Sequence, residues 1–415
     1  MHVEHLPEKR QNLSRFAFIF RLCCALLVAV LFFAVAKHSA GSVDCKNADF
    51  IAYWLAGKMI IAGENPYSPD QWLAAVKSIG SAWTLNSSFV YPLTTAMLFA
   101  PLGLLSPSEA YFLWILLTQS FLLASMALLI FPAGNVRYLC LLPSALAGLI
   151  LFRPTLLILQ NGQISGLLLL VICGVVYLWE KGRYRLGGVF LSLLTCKPNI
   201  GVPVIMILSL WLLCKRRQAT VVACLSGVAG LTALAMLYNP YWLGEFIQSS
   251  RLLLSGFLKQ TPTLPGYAAQ LVGRGGIMPI LLGWSAGTVI AAACGVFLRR
   301  RHCDIDSRSA INLAIVFTLL LTPYAWPYDQ LLLIVPLVTV MLSMQRRGYS
   351  FLLYASLPLA VDLLAIILFA LSGTIRTENY SVLLTLLLLS LLVWQVRQPG
   401  RDNLPILPSR EGVPR

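Results

Sequence analysis

The chain has 415 residues, of which 58% are hydrophobic and 11% charged, against roughly 45–50% and about 25% in a soluble domain. Apolar runs recur from Phe16 almost to Val396, so the chain reads as an all-α polytopic membrane protein; disorder, collagen, coiled coil and a soluble α/β enzyme are excluded as its main architecture. The net charge of +15 is no nucleic-acid footprint, because the basic residues punctuate the apolar runs instead of lining one face.

In chain order, the hydropathy pattern predicts twelve spans, at about 16–36, 110–131, 138–158, 163–180, 185–196, 199–214, 219–238, 277–298, 309–323, 328–345, 349–372 and 380–396. The first apolar run is longer than the about 7–15 residues of a signal-peptide core and lacks a small-x-small end, so it reads as a retained span. Most of the ten Cys, including Cys23, Cys24, Cys140, Cys173, Cys224 and Cys294, fall in apolar runs and give no disulfide framework. With the amino terminus cytoplasmic, inside segments carry twenty Lys and Arg and the longer outside segments nine. That bias orients the chain in the cell membrane with an extracytoplasmic face holding the large loops.

The run Phe89–Leu105 would invert every later loop if it crossed the bilayer, so it is assigned as a re-entrant or interfacial helix in the first outer segment, residues 37–109. A second large outer segment runs from Asn239 to about Gly276. Residues 1–397 read as one transmembrane domain, and 398–415, with four Pro and no apolar period, as a disordered cytoplasmic tail. Leu186–Cys196 rises only about 16 Å as a helix, against a hydrocarbon core of about 30 Å. The break at Lys197-Pro198-Asn199 should therefore lie below the outer surface, where irregular backbone needs protein or a wet cavity around it.

Polar interruptions gather on the outer side. Asp49 opens a stretch, 49–57, in which Phe50, Tyr53, Trp54 and Gly57 fall on helical spacing, as in an interfacial amphipathic helix. Asp49 is either a helix-capping acid or a general base held at the membrane surface. Gly63–Tyr67 reads as a turn that folds the outer loop back. Asn161 and Gln163 flank the turn at Gly162 and can either bond between helices or bind hydroxyls. Arg153, inside an apolar run, faces a cleft or snorkels outward. Lys197 at broken-helix depth is the sharpest cation. Asp329, in the aromatic stretch Pro323–Gln330, can bind sugar hydroxyls, pair with Lys197 or Arg274, or cap the following helix. Trp326 and Tyr328 suit sugar faces and the membrane interface alike. The four His form no metal cluster, and HExxH, Walker A, GxSxG and Rossmann motifs are all absent.

The order and spacing of Asp49-x-x-x-Tyr53-Trp54-x-Ala56-Gly57, Gly63-x-Asn65-Pro66-Tyr67, Tyr91-Pro92-Leu93, Ala100-Pro101-Leu102-Gly103, Asn161-Gly162-Gln163, Lys197-Pro198 and Tyr328-Asp329 resemble glycosyltransferase family 87 of the GT-C superfamily. The resemblance implies a GT-C-like fold and Asp49 as catalytic base. It also implies inverting transfer of a sugar, typically mannose, from a polyprenyl-phosphate donor to a glycan or glycolipid acceptor. The donor phosphate would meet Lys197, Arg153 or Arg274, and the substrates Tyr53, Trp54, Asn161, Gln163, Trp326, Tyr328 and Asp329. No cofactor is expected, since the lipid-linked sugar is itself a substrate, and a divalent metal is left open. Membrane lipid, donor and acceptor are the expected partners, with no nucleic acid. A transporter or flippase of lipid-linked sugars is the alternative.

Overall fold

The computed structural model describes residues 48–80, 88–130, 141–273, 275–300, 305–373 and 378–397, with a few residues between 30 and 38. The expected first span, Arg274 and the tail from 398 fall outside them, wholly or almost so. Every regular element among the described residues is a helix.

In chain order these are α1 (Phe50–Ile61), α2 (Pro69–Ser78), α3 (Leu93–Phe99, continued by a 3₁₀ turn Ala100–Leu104), α4 (Pro107–Ile130), α5 (Leu142–Leu151), α6 (Arg153–Asn161), α7 (Ser165–Glu180), α8 (Tyr184–Ser192, continued by 3₁₀ Leu193–Cys196), α9 (Pro198–Cys214), α10 (Gln218–Tyr238), α11 (Trp242–Phe257), α12 (Leu264–Val272), α13 (Ile277–Arg300), α14 (Ser307–Leu321), α15 (Ile334–Arg346, preceded by 3₁₀ Pro327–Leu333), α16 (Phe351–Gly373) and α17 (Val382–Arg397).

Five helices are long and apolar enough to cross a bilayer: α4, α10, α13, the continuous stretch Pro327–Arg346, and α16. Five more apolar helices at expected spans hold fewer than 18 residues, Ser165–Glu180, Tyr184–Cys196, Pro198–Cys214, Ser307–Leu321 and Asn379–Gln395. The twelve expected spans are thus not twelve full-length helices. The span expected at 138–158 is broken: α5 and α6 meet at a 58° bend. Phe152 is extended there, at φ −61° and ψ 117°, and Pro154 has no N–H to continue the ladder of α5. The run 89–105 is two short pieces, α3 and its 3₁₀ extension, about 20 Å at most and too short to span.

The expectation of an interfacial helix at 49–57 is corrected. From Phe50 to Gly57 α1 is buried on every side, with Phe50, Ile51, Tyr53, Trp54, Leu55 and Ala56 all at 2% exposure or less, and only its last turn, at Lys58 and Ile61, is exposed. The 3–4 spacing of its aromatic residues marks one packed face, but Ile51, Ala52 and Leu55 are covered too. The covering elements come from later in the chain. Tyr53 stacks on Phe99 of α3 at 5.0 Å, and Phe50 meets Tyr111 of α4 edge-on at 5.2 Å.

The helices gather their ends into two groups. At one end, Arg308 donates to Glu180 at 2.6 Å and to the Leu129 carbonyl at 3.2 Å, and Trp211 donates to the Ile305 carbonyl. There too the Arg217 guanidinium lies 3.4 Å from the Tyr184 ring centre. At the other end Asp49, Gln163, Lys197 and Asp329 converge. The first group joins the segments assigned inside by charge, and the second joins those assigned outside.

The two segments assigned outside by charge are tied together. Asn65 donates through Nδ2 to both Glu245 oxygens, at 3.1 and 3.2 Å, and Asn239 donates to Glu245 at 2.7 Å. Asn65 Oδ1 also accepts from the Tyr67 N–H, closing the turn after Gly63, whose φ is +75°.

Candidate active site

Asp49 immediately precedes α1. Its backbone is helical, at φ −58° and ψ −26°, and its side chain makes no capping bond. Asp49 Oδ2 instead accepts from Gln163 Nε2 at 2.5 Å. The backbone explains how the two meet. Gly162 ends α6 in the left-handed region, at φ +63°, and a Cβ on it would fall 2.6 Å from Phe50 Cβ. The α6–α7 turn therefore lies directly on the start of α1, and Gln163 reaches the acid. α4 clamps the turn from behind: Tyr111 donates to the Leu159 and Gln160 carbonyls, and Trp114 to the Gly162 carbonyl.

Lys197 occupies the break between the 3₁₀ end of α8 and α9, with φ −134° and ψ 81°. The break is fixed on both sides. Thr95 of α3 donates to the Cys196 carbonyl at 2.7 Å, and Gly201 packs so closely that a Cβ would lie 1.9 Å from the Leu194 carbonyl oxygen. Lys197 Nζ donates to Asp329 Oδ1 at 2.5 Å and to Ser165 Oγ at 3.1 Å, stands 3.5 Å from Gln163 Oε1, and lies 4.5 Å from the Tyr328 ring centre. Asp329 Oδ1 also accepts from Ser165, while Oδ2 accepts from the Trp326 N–H at 3.0 Å. Asp329 thus both pairs with Lys197 and caps its own helix.

The polar line runs Asp49, Gln163, Lys197, Asp329, with the Tyr53 hydroxyl donating to Gln163 Oε1 at 2.8 Å. It has two layers. Gln163, Lys197 and Asp329 are sealed, at 0%, 1% and 0% exposure. Asp49, Tyr91, Asn199, Tyr324 and Trp326 remain partly exposed. Desolvation pushes the Asp49 carboxyl above the usual carboxylate range, helped by the Asp329 charge. The Gln163 hydrogen bond and the Lys197 charge oppose the rise without cancelling it. Burial also raises the Tyr91 and Tyr324 phenols, which stay protonated donors. Tyr324 accepts from Trp326 Nε1 at 2.7 Å, and Trp326 and Tyr328 stack with ring centres 6.4 Å apart.

Other expected residues sit elsewhere. Trp54 donates its indole N–H to the Leu102 and Leu105 carbonyls and serves packing. Asn161 donates back to the Leu157 carbonyl. Arg153 makes a two-pronged bond to Glu378, at 2.6 and 2.8 Å, and lies 3.8 Å from the Phe369 ring centre. Both described cations expected at a phosphate are paired with carboxylates, Lys197 with Asp329 and Arg153 with Glu378. Among the described residues no three His, Cys, Asp or Glu side chains form a metal-sized group. Nothing in the sequence assigns a role to Ser165, Thr95 or Tyr324, and Tyr91 enters only among the residues that carry the resemblance. Ser165, in the first turn after Gln163, was the most accessible of these from spacing alone.

Residues 89–323 match the family model of glycosyltransferase family 87. The chain belongs to that family. Comparison with curated proteins and with solved structures gave no match. In this family 87 glycosyltransferase the matched stretch holds Tyr91, Gln163 and Lys197. Asp49 precedes it and Asp329 follows it, so both carboxylates of the site rest on geometry alone.

Proposed function

We propose that this glycosyltransferase moves a sugar, mannose in the first instance, from a polyprenyl-phosphate donor to a hydroxyl of a lipid- or glycan-linked acceptor, with inversion, on the extracytoplasmic face of the cell membrane. The observation that carries this reading is a partly exposed carboxylate, Asp49, oriented by a sealed amide and raised above its ordinary pKa. Those are the attributes of a general base.

The acceptor oxygen attacks the anomeric carbon while its proton passes to Asp49. The bond from that carbon to the phosphate oxygen breaks, and polyprenyl phosphate departs with the electron pair. A phosphate is a good leaving group, so no protein acid is required. Gln163 fixes the carboxylate plane. Lys197, paired with Asp329, acts from behind: it holds Gln163 and Ser165 in place, and its charge partly offsets the burial of the base. Tyr324 and Tyr91 offer hydroxyl donors, and Trp326 a ring face for a sugar. Charge bias and the gathering of the polar line at one end of the bundle support the extracytoplasmic placement, and the fold is then GT-C-like.

The test uses purified protein in lipid with radiolabelled polyprenyl-phosphomannose and a glycolipid extract, wild type beside Asp49→Asn. Label in a new glycosidic product with wild type alone is the expected result. Folded wild-type protein that transfers from none of several polyprenyl-phosphate sugars would overturn the reading in favour of a flippase.

A further inference from the structure

At the end of the bundle opposite Asp49, a depression of about 400 Å³ lies between the starts of α8 and α10. Arg183, Arg185 and Arg217 line it together with Tyr184 and Thr220, and no acidic residue does. The guanidinium carbon of Arg217 lies over the Tyr184 ring, 3.4 Å from its centre, a cation–π contact that restrains the group at the rim of the depression. The walls are the first turns of two helices. Their N-cap positions are Arg183 and Arg217, and neither makes a side-chain capping bond. Three arginines thus line one open space at two helix starts, with no acid among them, an arrangement that favours an anion. The nearby acid, Glu180, is already engaged by Arg308.

The surface below the depression tells which anion. Leu186, itself part of the lining, begins an exposed apolar stripe on α8 with Val189, Phe190 and Leu193, at 44%, 45%, 40% and 38% exposure. These positions, at i, i+3, i+4 and i+7, run about 10 Å along one helix face away from the arginines. A phosphate group with an attached acyl chain matches both parts, whereas a soluble anion matches only the first.

We infer that the pocket between the starts of α8 and α10 binds the phosphate of an anionic glycerophospholipid, with Arg183, Arg185 and Arg217 on the headgroup and an acyl chain along Leu186–Leu193. This site is separate from the proposed transfer site. It differs from general charge bias at a membrane surface in having a shaped pocket and an arginine held over a tyrosine ring.

The experiment is native mass spectrometry of the full chain in detergent, titrated with phosphatidylglycerol and separately with phosphatidylcholine. Saturable binding of phosphatidylglycerol alone is expected. Arg217→Ala should weaken it about fivefold, the worth of one basic group near a membrane surface. Arg217→Lys keeps the charge that insertion needs but loses the planar fork, and should also weaken binding, while Arg299→Gln/Arg300→Gln should not. Equal binding by wild type and Arg217→Lys would overturn the pocket as the site. Displacement of the lipid by millimolar inorganic phosphate would overturn the lipid and leave a soluble-anion site.

Discussion

Asp49 is a residue whose identity is set by chemistry against stability. Because its carboxyl is raised in the folded chain, the fold favours the protonated form. The stability this gives is full below the ordinary carboxylate range and is lost as pH rises through the raised value. At neutral pH the ionised acid is therefore a cost. Asp49→Asn should raise Tm in a thermal melt while lowering transfer by about 10²–10⁴-fold, the usual worth of a general base. The acidic limb of the rate profile should lie above the ordinary carboxylate range. Gln163→Leu removes the bond that pulls the value down, so its limb should move to still higher pH. Lys197 and Asp329 have the opposite character. Lys197→Met leaves a buried acid unpaired and should cost about 3–5 kcal/mol. The double variant Lys197→Met/Asp329→Asn should regain most of that in a denaturation series but not regain transfer, which separates the pair's structural part from its chemical one. The position of Lys197 at a buried helix break was legible in the sequence, because the span Leu186–Cys196 is too short to bring it to the surface. Its partner was not, because Lys197 and Asp329 are 132 positions apart and three functions fitted the acid equally well.

At the scale of elements, the site depends on two close approaches made by glycine. Gly162→Ala would force a side chain into the left-handed region and against Phe50. It should cost about 2–4 kcal/mol from strain and overpacking together, and reduce transfer by displacing Gln163. Gly201→Ala would press on the Leu194 carbonyl and should shift Lys197, visible as lost activity in protein that still inserts. Hydropathy located the helices well where they are continuous. It misjudged α1 because the aromatic spacing of Phe50, Tyr53 and Trp54 is the same for a helix lying on a membrane and for one packed against α3 and α4; only the later segments that cover it decide. It also ran through Phe152, since an apolar extended residue leaves no mark on a hydropathy profile.

For the whole molecule, the alternation of basic and polar loops carried more than any single motif. It placed Asp49, Gln163, Lys197 and Asp329 on one side before any contact was known, and the structure brings those four residues together at one end. In a chain whose native cysteines are replaced, a cysteine at exposed Ser78 should react with an impermeant thiol reagent added outside intact cells. One at exposed Gly182 should react only after permeabilisation. Equal labelling of both would overturn the orientation. What the charge pattern could not supply is the cross-linking of distant segments, such as Asn65 to Glu245, because a hydrogen bond between loops has no periodicity.

The sealed Lys197–Asp329 pair also imposes an order on biosynthesis. The lysine leaves the ribosome 132 residues before the acid. At about 5–20 residues per second that interval is roughly 7–26 s. Throughout it, an ammonium group destined for a dry interior has no counter-ion. The nascent chain must hold Lys197 at the interface or against the translocation machinery until the segment after α14 arrives. A ribosome that stalls in that window leaves a fragment with an uncompensated charge where the complete chain has an ion pair.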